Sequence, residues 1–176
     1  MSVDLASLIV GVPDFPRPGV NFYDITPLVA SPAGLATTVD RLAAAAPAAD
    51  LVLGIEARGF LLAAPVACQL GLGLVPVRKP GKLPRAVVSV DYELEYRTDT
   101  VAVHADAVPA GCRVLIVDDV LATGGTVAAT ADLVGKLGAT VAGVLVLAEL
   151  ADLAPRDRLA AHGLTRVTSL LRLGDR

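Results

Sequence analysis

Short runs of consecutive apolar residues, spaced by helix-length stretches, dominate this chain and decide its fold class. The runs are Leu51–Ile55 (LVLGI), Leu74–Arg78 (LVPVR), Val114–Val117 (VLIV) and Val141–Leu147 (VAGVLVL). A strand with one wet face alternates apolar and polar residues. A strand apolar at every position is covered on both faces, as in a parallel sheet between two helical layers. Phe60–Leu70, Thr126–Leu137 and Ala154–Ala161 read as the intervening helices, and Gly138 is a natural stop for the second. Thr100–His104 and Val167–Leu171 are further strand candidates. The pattern predicts an α/β fold with an open doubly wound, mainly parallel sheet. In such sheets ligands bind beyond the carboxyl ends of the strands, where the strand order reverses. The N-terminal stretch breaks the alternation. Pro13, Pro16, Pro18 and Pro27 predict an irregular hood or arm over residues 1–30 of one domain spanning 1–176.

Hydrophobic residues make up 54% of the chain, so a membrane span has to be tested. Residues 59–77 are long enough, since a spanning helix needs about 20 apolar residues. Pro65 and Pro76 interrupt them, and Gln69, Gly71 and Gly73 fall between. A helix, a Gly-rich turn and a buried strand fit better. No signal peptide is expected at the N-terminus. The net charge is −3 with no basic block, which points away from nucleic acid. Cys68, on an apolar helical run, reads as core filling, and Cys112 sits in a turn. Neither has metal-ligand spacing, so both are expected as free thiols in a reducing cytoplasm.

The chemistry concentrates in Val114–Thr126, VLIVDDVLATGGT. A buried strand is expected to end in Asp118 and Asp119. A short turn, Thr123–Gly124–Gly125–Thr126, then opens a helix. The glycines reach dihedrals closed to other residues and let backbone N–H groups approach a ligand. At a helix N-terminus those groups make an anion site, to which Thr123 and Thr126 add hydroxyls. Paired carboxylates would repel a phosphate but suit a vicinal diol. Diol binder and phosphate cradle a few residues apart describe a sugar 5-phosphate. The segment has neither the Gly-Lys-Ser/Thr of a Walker loop nor a dinucleotide fingerprint.

Two other strand ends carry charge. Gly54–Phe60 (GIEARGF) presents Arg58, whose planar fork suits pyrophosphate oxygens, or else pairs with Glu56. Arg78–Pro84 (RKPGKLP) holds Arg78, Lys79 and Lys82 in a Pro/Gly turn, either a second anion site or a solvated basic loop. Ser89–Asp99 is polar and acidic, and predicts an exposed hairpin or a closing lid within 85–100.

Val114–Thr126 resembles, residue for residue, the phosphoribosyl pyrophosphate motif of the type I phosphoribosyltransferases. With DFPRPGVNFYDITPL at Asp14–Leu28, then GIEARGF, RKPGKLP and LEY in order, nearly the whole chain resembles the adenine phosphoribosyltransferase family. The resemblance implies transfer of 5-phosphoribosyl from phosphoribosyl pyrophosphate to adenine, giving AMP and pyrophosphate in purine salvage. Asp118 and Asp119 would hold the ribose hydroxyls, and Ala122, Thr123, Gly124, Gly125 and Thr126 the 5-phosphate. Arg58, Arg78, Lys79 and Lys82 would meet pyrophosphate, partly across a homodimer interface. Phe22 would stack on the purine. Glu95 would manage the base's proton, with Tyr96 closing the lid beside it. The donor would bring Mg²⁺, held near Asp118 and Asp119 through donor oxygens and water rather than by direct ligation. The family usually has an apolar residue where Asn21 stands, often a basic one at Tyr23, and commonly Gly at Arg97. The first two departures lie near the base and leave hypoxanthine, guanine or xanthine as alternative acceptors. A cytoplasmic enzyme without membrane or nucleic-acid partners is implied.

Overall fold

The computed structural model describes residues 3–94 and 97–174. The elements run, in chain order, β1 (Val10–Val12), β2 (Phe22–Asp24), α1 (Thr26–Ala30), α2 (Pro32–Ala44), β3 (Leu51–Ile55), α3 (Gly59–Leu70) and β4 (Gly73–Val77). There follow β5 (Val87–Leu94), β6 (Arg97–His104), β7 (Arg113–Leu121), α4 (Gly125–Lys136), β8 (Thr140–Leu150), α5 (Pro155–Ala161) and β9 (Val167–Leu173). Five strands form one parallel sheet in the order β4-β3-β7-β8-β9. From β3 the chain first moves outward to β4, then returns to build β7, β8 and β9 on the other side. The switch point therefore lies between β3 and β7, where an open sheet leaves a crevice for a ligand. The doubly wound α/β expectation holds.

Continuous apolar runs are explained by burial on both faces. On β7, Val114 and Ile116 pack into a core shared with Val127 and Leu133 of α4, while Leu115 and Val117 pack against Leu62 and Val66 of α3. All four strand residues are fully buried. Helix α3 buries Leu62, Ala63, Val66 and Ala67, a stripe at helical spacing. Cys68 is one position past that stripe and is exposed, which corrects its reading as a core residue. No helix among the described residues is long and apolar enough to cross a membrane, and residues 59–77 are α3, a turn and β4.

Three other features differ from the sequence reading. Thr100–His104 is not a strand of the main sheet but the second half of β6. This strand pairs antiparallel with β5 along its whole length and meets the core through Val101 and Val103. Its link toward the sheet is a bridge from Ala102 to Arg78. Helix α2 was not anticipated, although Ser31 and Pro32 signal its start: the Ser31 side chain accepts from Gly34 N at 3.1 Å. Strand β7 does not end at the acidic pair. Pairing with β8 carries it on to Leu121, opposite Glu149. The N-terminal arm is irregular apart from a 3-10 turn at Ala6–Leu8, the short helix α1 and the β1–β2 pair, which sets Val12 opposite Phe22.

Glu149, near the end of β8, is 1% exposed and charged. Arg156 of α5 holds it with Nε 2.9 Å and Nη2 2.5 Å from Oε2, and Ser169 Oγ of β9 donates to the same oxygen at 2.7 Å. Arg156 Nη1 also donates to Val167 O at 3.1 Å, so one cluster fastens α5 to two strands. The Arg156 hydrogen bond, against the opposing effect of burial and with help from Ser169, holds the Glu149 carboxyl below its usual range. A carboxyl depressed on folding stabilises the fold above its unfolded value, about pH 4.3, and that contribution is lost as pH falls below it. Arg156→Ala is expected to cost about 2 kcal/mol, less than a fully buried pair because the arginine is partly solvated. It should also flatten the acid limb of a stability–pH curve measured by urea unfolding.

Candidate active site

The switch point gathers the chemistry. On one side, β3 ends at Ile55 and the chain turns through Glu56 and Ala57 to Arg58, which precedes α3. On the other, β7 carries Asp118 and Asp119 and leads through Ala122 and Thr123 to Gly124. Gly124 takes φ +81° to start α4, and a Cβ there would lie 3.1 Å from Pro155 O. Both the dihedral and the space demand glycine. No side chain caps α4, so its first N–H groups are left for another acceptor, such as an anion.

Arg58 spans the gap. Its Nε lies 2.8 Å from Asp119 Oδ2, and Nη1 donates to Tyr23 O at 3.0 Å. Its guanidinium sits 4.5 Å from the centroid of the Phe22 ring, which in turn meets Phe15 edge-on at 5.2 Å. The possible Arg58–Glu56 pair is not formed. Glu56 instead takes Arg78 Nε at 3.0 Å and Lys79 N at 2.7 Å. Hydrogen bonding from Arg78 and Lys79, opposed by burial, holds Glu56 below its usual range.

Asp119 is 6% exposed. Asp118 Oδ1 accepts from Asp119 N at 2.9 Å. Burial first, and then the neighbouring Asp119 charge, push the Asp118 carboxyl well above its usual range, with Arg58 pulling the other way. The corner is thus electrostatically costly when empty, and hydroxyl or cationic partners would relieve it. Gly59 lets α3 start against it: an added Cβ would stand 2.6 Å from Asp118 Oδ1 and 3.2 Å from Asp118 Cα and Val117 O. Two of those atoms are backbone and cannot swing aside. Gly59→Ala is expected to destabilise the protein by about 2 kcal/mol, a fall of roughly 4–8 °C in Tm by calorimetry.

The cations of Arg78–Pro84 do not converge. Arg78 holds Glu56. Lys79 Nζ lies 2.6 Å from Asp99 Oδ2 and 2.9 Å from Tyr92 Oη. Burial lowers the Lys79 ammonium, but Asp99 and Tyr92 more than offset this and its pKa ends above the usual value. Lys82 is exposed. A cavity of about 580 Å³ opens between hood and sheet, lined by Asn21, Phe22 and Tyr23, by Arg58, and by Ala122 and Thr123. Its far wall is Leu150, Asp152 and Leu153, which sequence reasoning missed. They follow β8 at the carboxyl end of the sheet, and that position was the available signal. Tyr92 and Arg158 were missed as well. Arg158 Nη1 lies 3.0 Å from where a Cβ on Gly125 would stand. Glu95 and Tyr96 fall outside the described residues.

A family model described as the phosphoribosyl transferase domain matches residues 22–167, a span containing the switch point and both of its loops. The adenine phosphoribosyltransferase of Cutibacterium acnes is 56% identical over 168 residues, covering 95% of each chain. The chain belongs to the adenine phosphoribosyltransferase family. The crystal structure of a member from Thermoanaerobacter pseudethanolicus superposes with a TM-score of 0.93 at 46% identity, covering 97% of this chain and 98% of that one. A Giardia lamblia member solved with 9-deazaadenine gives a TM-score of 0.92 at 36% identity, covering 98% of both. Membership accounts for the fold and for an acidic strand feeding a glycine-rich helix start.

Proposed function

We propose that this chain transfers the 5-phosphoribosyl group from phosphoribosyl pyrophosphate to adenine, forming AMP and pyrophosphate. The observation that carries the reading is the switch-point corner, where the strand that carries Asp118 and Asp119 leads through a short loop into an uncapped helix start suited to phosphate. The cavity beside it is of nucleotide size. Relatives at this identity are named for adenine, and the Giardia lamblia one holds a deaza analogue of that base, which favours adenine over other purines.

In this reading the ribose hydroxyls donate to Asp118 and Asp119, and the 5-phosphate takes the N–H groups and hydroxyls of Ala122–Thr126. The purine lies between Phe22 and the Leu150 wall, within reach of Asn21 and Tyr23. The donor enters as its magnesium complex, the ion balancing charge on the pyrophosphate. The anomeric C–O bond to pyrophosphate breaks as the purine N9 bonds to that carbon. The N9 proton leaves the base, and Glu95 is the residue assigned to it. With Nε and Nη1 engaged, Arg58 offers Nη2 to a pyrophosphate oxygen.

Arg78, Lys79 and Lys82 do not line this chain's own cavity. In this reading the loop would meet pyrophosphate in the partner's site of a homodimer, as the family resemblance implies. Within one domain spanning 1–176, residues 1–30 serve as the hood and 85–100 as the lid that closes over the site, in a cytoplasmic salvage enzyme. The test is direct: protein, magnesium, phosphoribosyl pyrophosphate and one base at a time. AMP from adenine, with little product from hypoxanthine, guanine or xanthine, is expected. Product from another purine and none from adenine would overturn the base assignment.

A further inference from the structure

Tyr92 has no part in the reaction just described, yet its hydroxyl stands between two anion-facing segments. It lies 2.9 Å from Lys79 Nζ, 3.0 Å from Thr126 Oγ1 and 3.3 Å from Asp99 Oδ2. Its ring lies over the helix start, with Cδ2 3.6 Å from where a Cβ on Gly125 would be. One side chain of β5 thus touches both the basic loop after β4 and the first turn of α4.

Donor counting sets the direction of the first of these bonds, while between Tyr92 and Thr126 either hydroxyl can donate. An ammonium group only donates, so the Tyr92 oxygen accepts from Lys79. The phenolic hydrogen is then shared between the Asp99 carboxylate at 3.3 Å and Thr126 Oγ1 at 3.0 Å, and a phosphate that takes the Thr126 hydrogen draws it toward Thr126. A Thr126 hydroxyl that accepts from Tyr92 keeps its own hydrogen for an incoming phosphate oxygen. The chain Lys79 to Tyr92 to Thr126 to phosphate runs one way, each bond polarising the next.

We propose that Tyr92 is a positioning residue, orienting the Thr126 hydroxyl toward the sugar's 5-phosphate and relaying the charge of Lys79 to it. The proposal rests on the donor-site reading above.

The test uses the full chain and two probes, ribose 5-phosphate and pyrophosphate, titrated separately by calorimetry. Tyr92→Phe keeps the ring and removes the hydroxyl. It should weaken ribose 5-phosphate binding about 5- to 10-fold, the scale of one neutral hydrogen bond, and leave pyrophosphate binding unchanged. KM for phosphoribosyl pyrophosphate should rise by a similar factor while KM for adenine stays put. Thr126→Val should lose at least as much, and adding Tyr92→Phe to it should cost less than about twofold more, because the oriented hydroxyl is gone. The proposal falls if the two losses multiply, if Tyr92→Phe binds ribose 5-phosphate like the parent, or if both probes weaken together. A parent protein that binds no ribose 5-phosphate would overturn the donor-site reading itself, and this proposal with it.

Discussion

Replacing Asp118 and Asp119 together by Asn is expected to weaken binding of magnesium phosphoribosyl pyrophosphate by at least about 100-fold. Each carboxylate would lose a charge-assisted hydrogen bond to a ribose hydroxyl. Two such losses amount to about 3 kcal/mol or more, and 1.4 kcal/mol is a factor of ten. The single variants should differ. Asp119 carries the ion pair with Arg58 at 2.8 Å, so Asp119→Asn also releases the guanidinium from its place over Phe22. Asp118 instead accepts from the Asp119 backbone N–H at 2.9 Å, a bond that an Asn side-chain oxygen can also accept. Asp119→Asn is therefore the more damaging change. Calorimetry decides: a double variant within about threefold of the parent would remove the pair from donor binding.

Glu95→Gln is expected to lower kcat by about 100-fold, the lower end of what a positioned acid or base contributes. The calorimetric Kd for the donor should stay within about twofold, because the amide keeps the shape of the lid and the carboxylate is assigned to the base's proton, not to the donor's charge. This separates Glu95 from Asp118 and Asp119, whose loss falls on donor affinity. Unchanged kcat in Glu95→Gln would remove the residue from the mechanism, and donor affinity lost together with kcat would make it a binding group instead.

The parts of the fold that were legible in sequence are those decided locally. Leu51–Ile55 and Val114–Val117 read as buried strands because every position is apolar, and both faces of the sheet are covered. The glycines at 124 and 125 read as a helix start, and Gly124 bears this out with a φ of +81° that other residues rarely adopt. What escaped was decided by neighbours distant in sequence. Pairing with β8 extends β7 past Asp119 to Leu121, and nothing within residues 114–121 signals it. Thr100–His104 has the composition of a sheet strand but pairs with residues 87–91, an arm whose partner depends on a turn. Arg58 had two plausible partners in sequence and took a third, Asp119, because the switch point brings β3 and β7 side by side. Glu56, bypassed by Arg58, was within reach of Arg78 at the end of the adjacent strand. The Leu150–Leu153 wall has no motif at all and belongs to the site only by its place after β8. Cys68 shows the limit of reading composition without phase: one residue off the buried stripe of α3, it faces water.

A crystal structure with magnesium phosphoribosyl pyrophosphate bound tests the central claim most directly. The account predicts the 2- and 3-hydroxyls within about 3 Å of the Asp118 and Asp119 carboxylates, at hydrogen-bond distance, and the 5-phosphate on the amides that open α4. A donor whose phosphate sits away from that helix start, or carboxylates turned from the ribose, would contradict it.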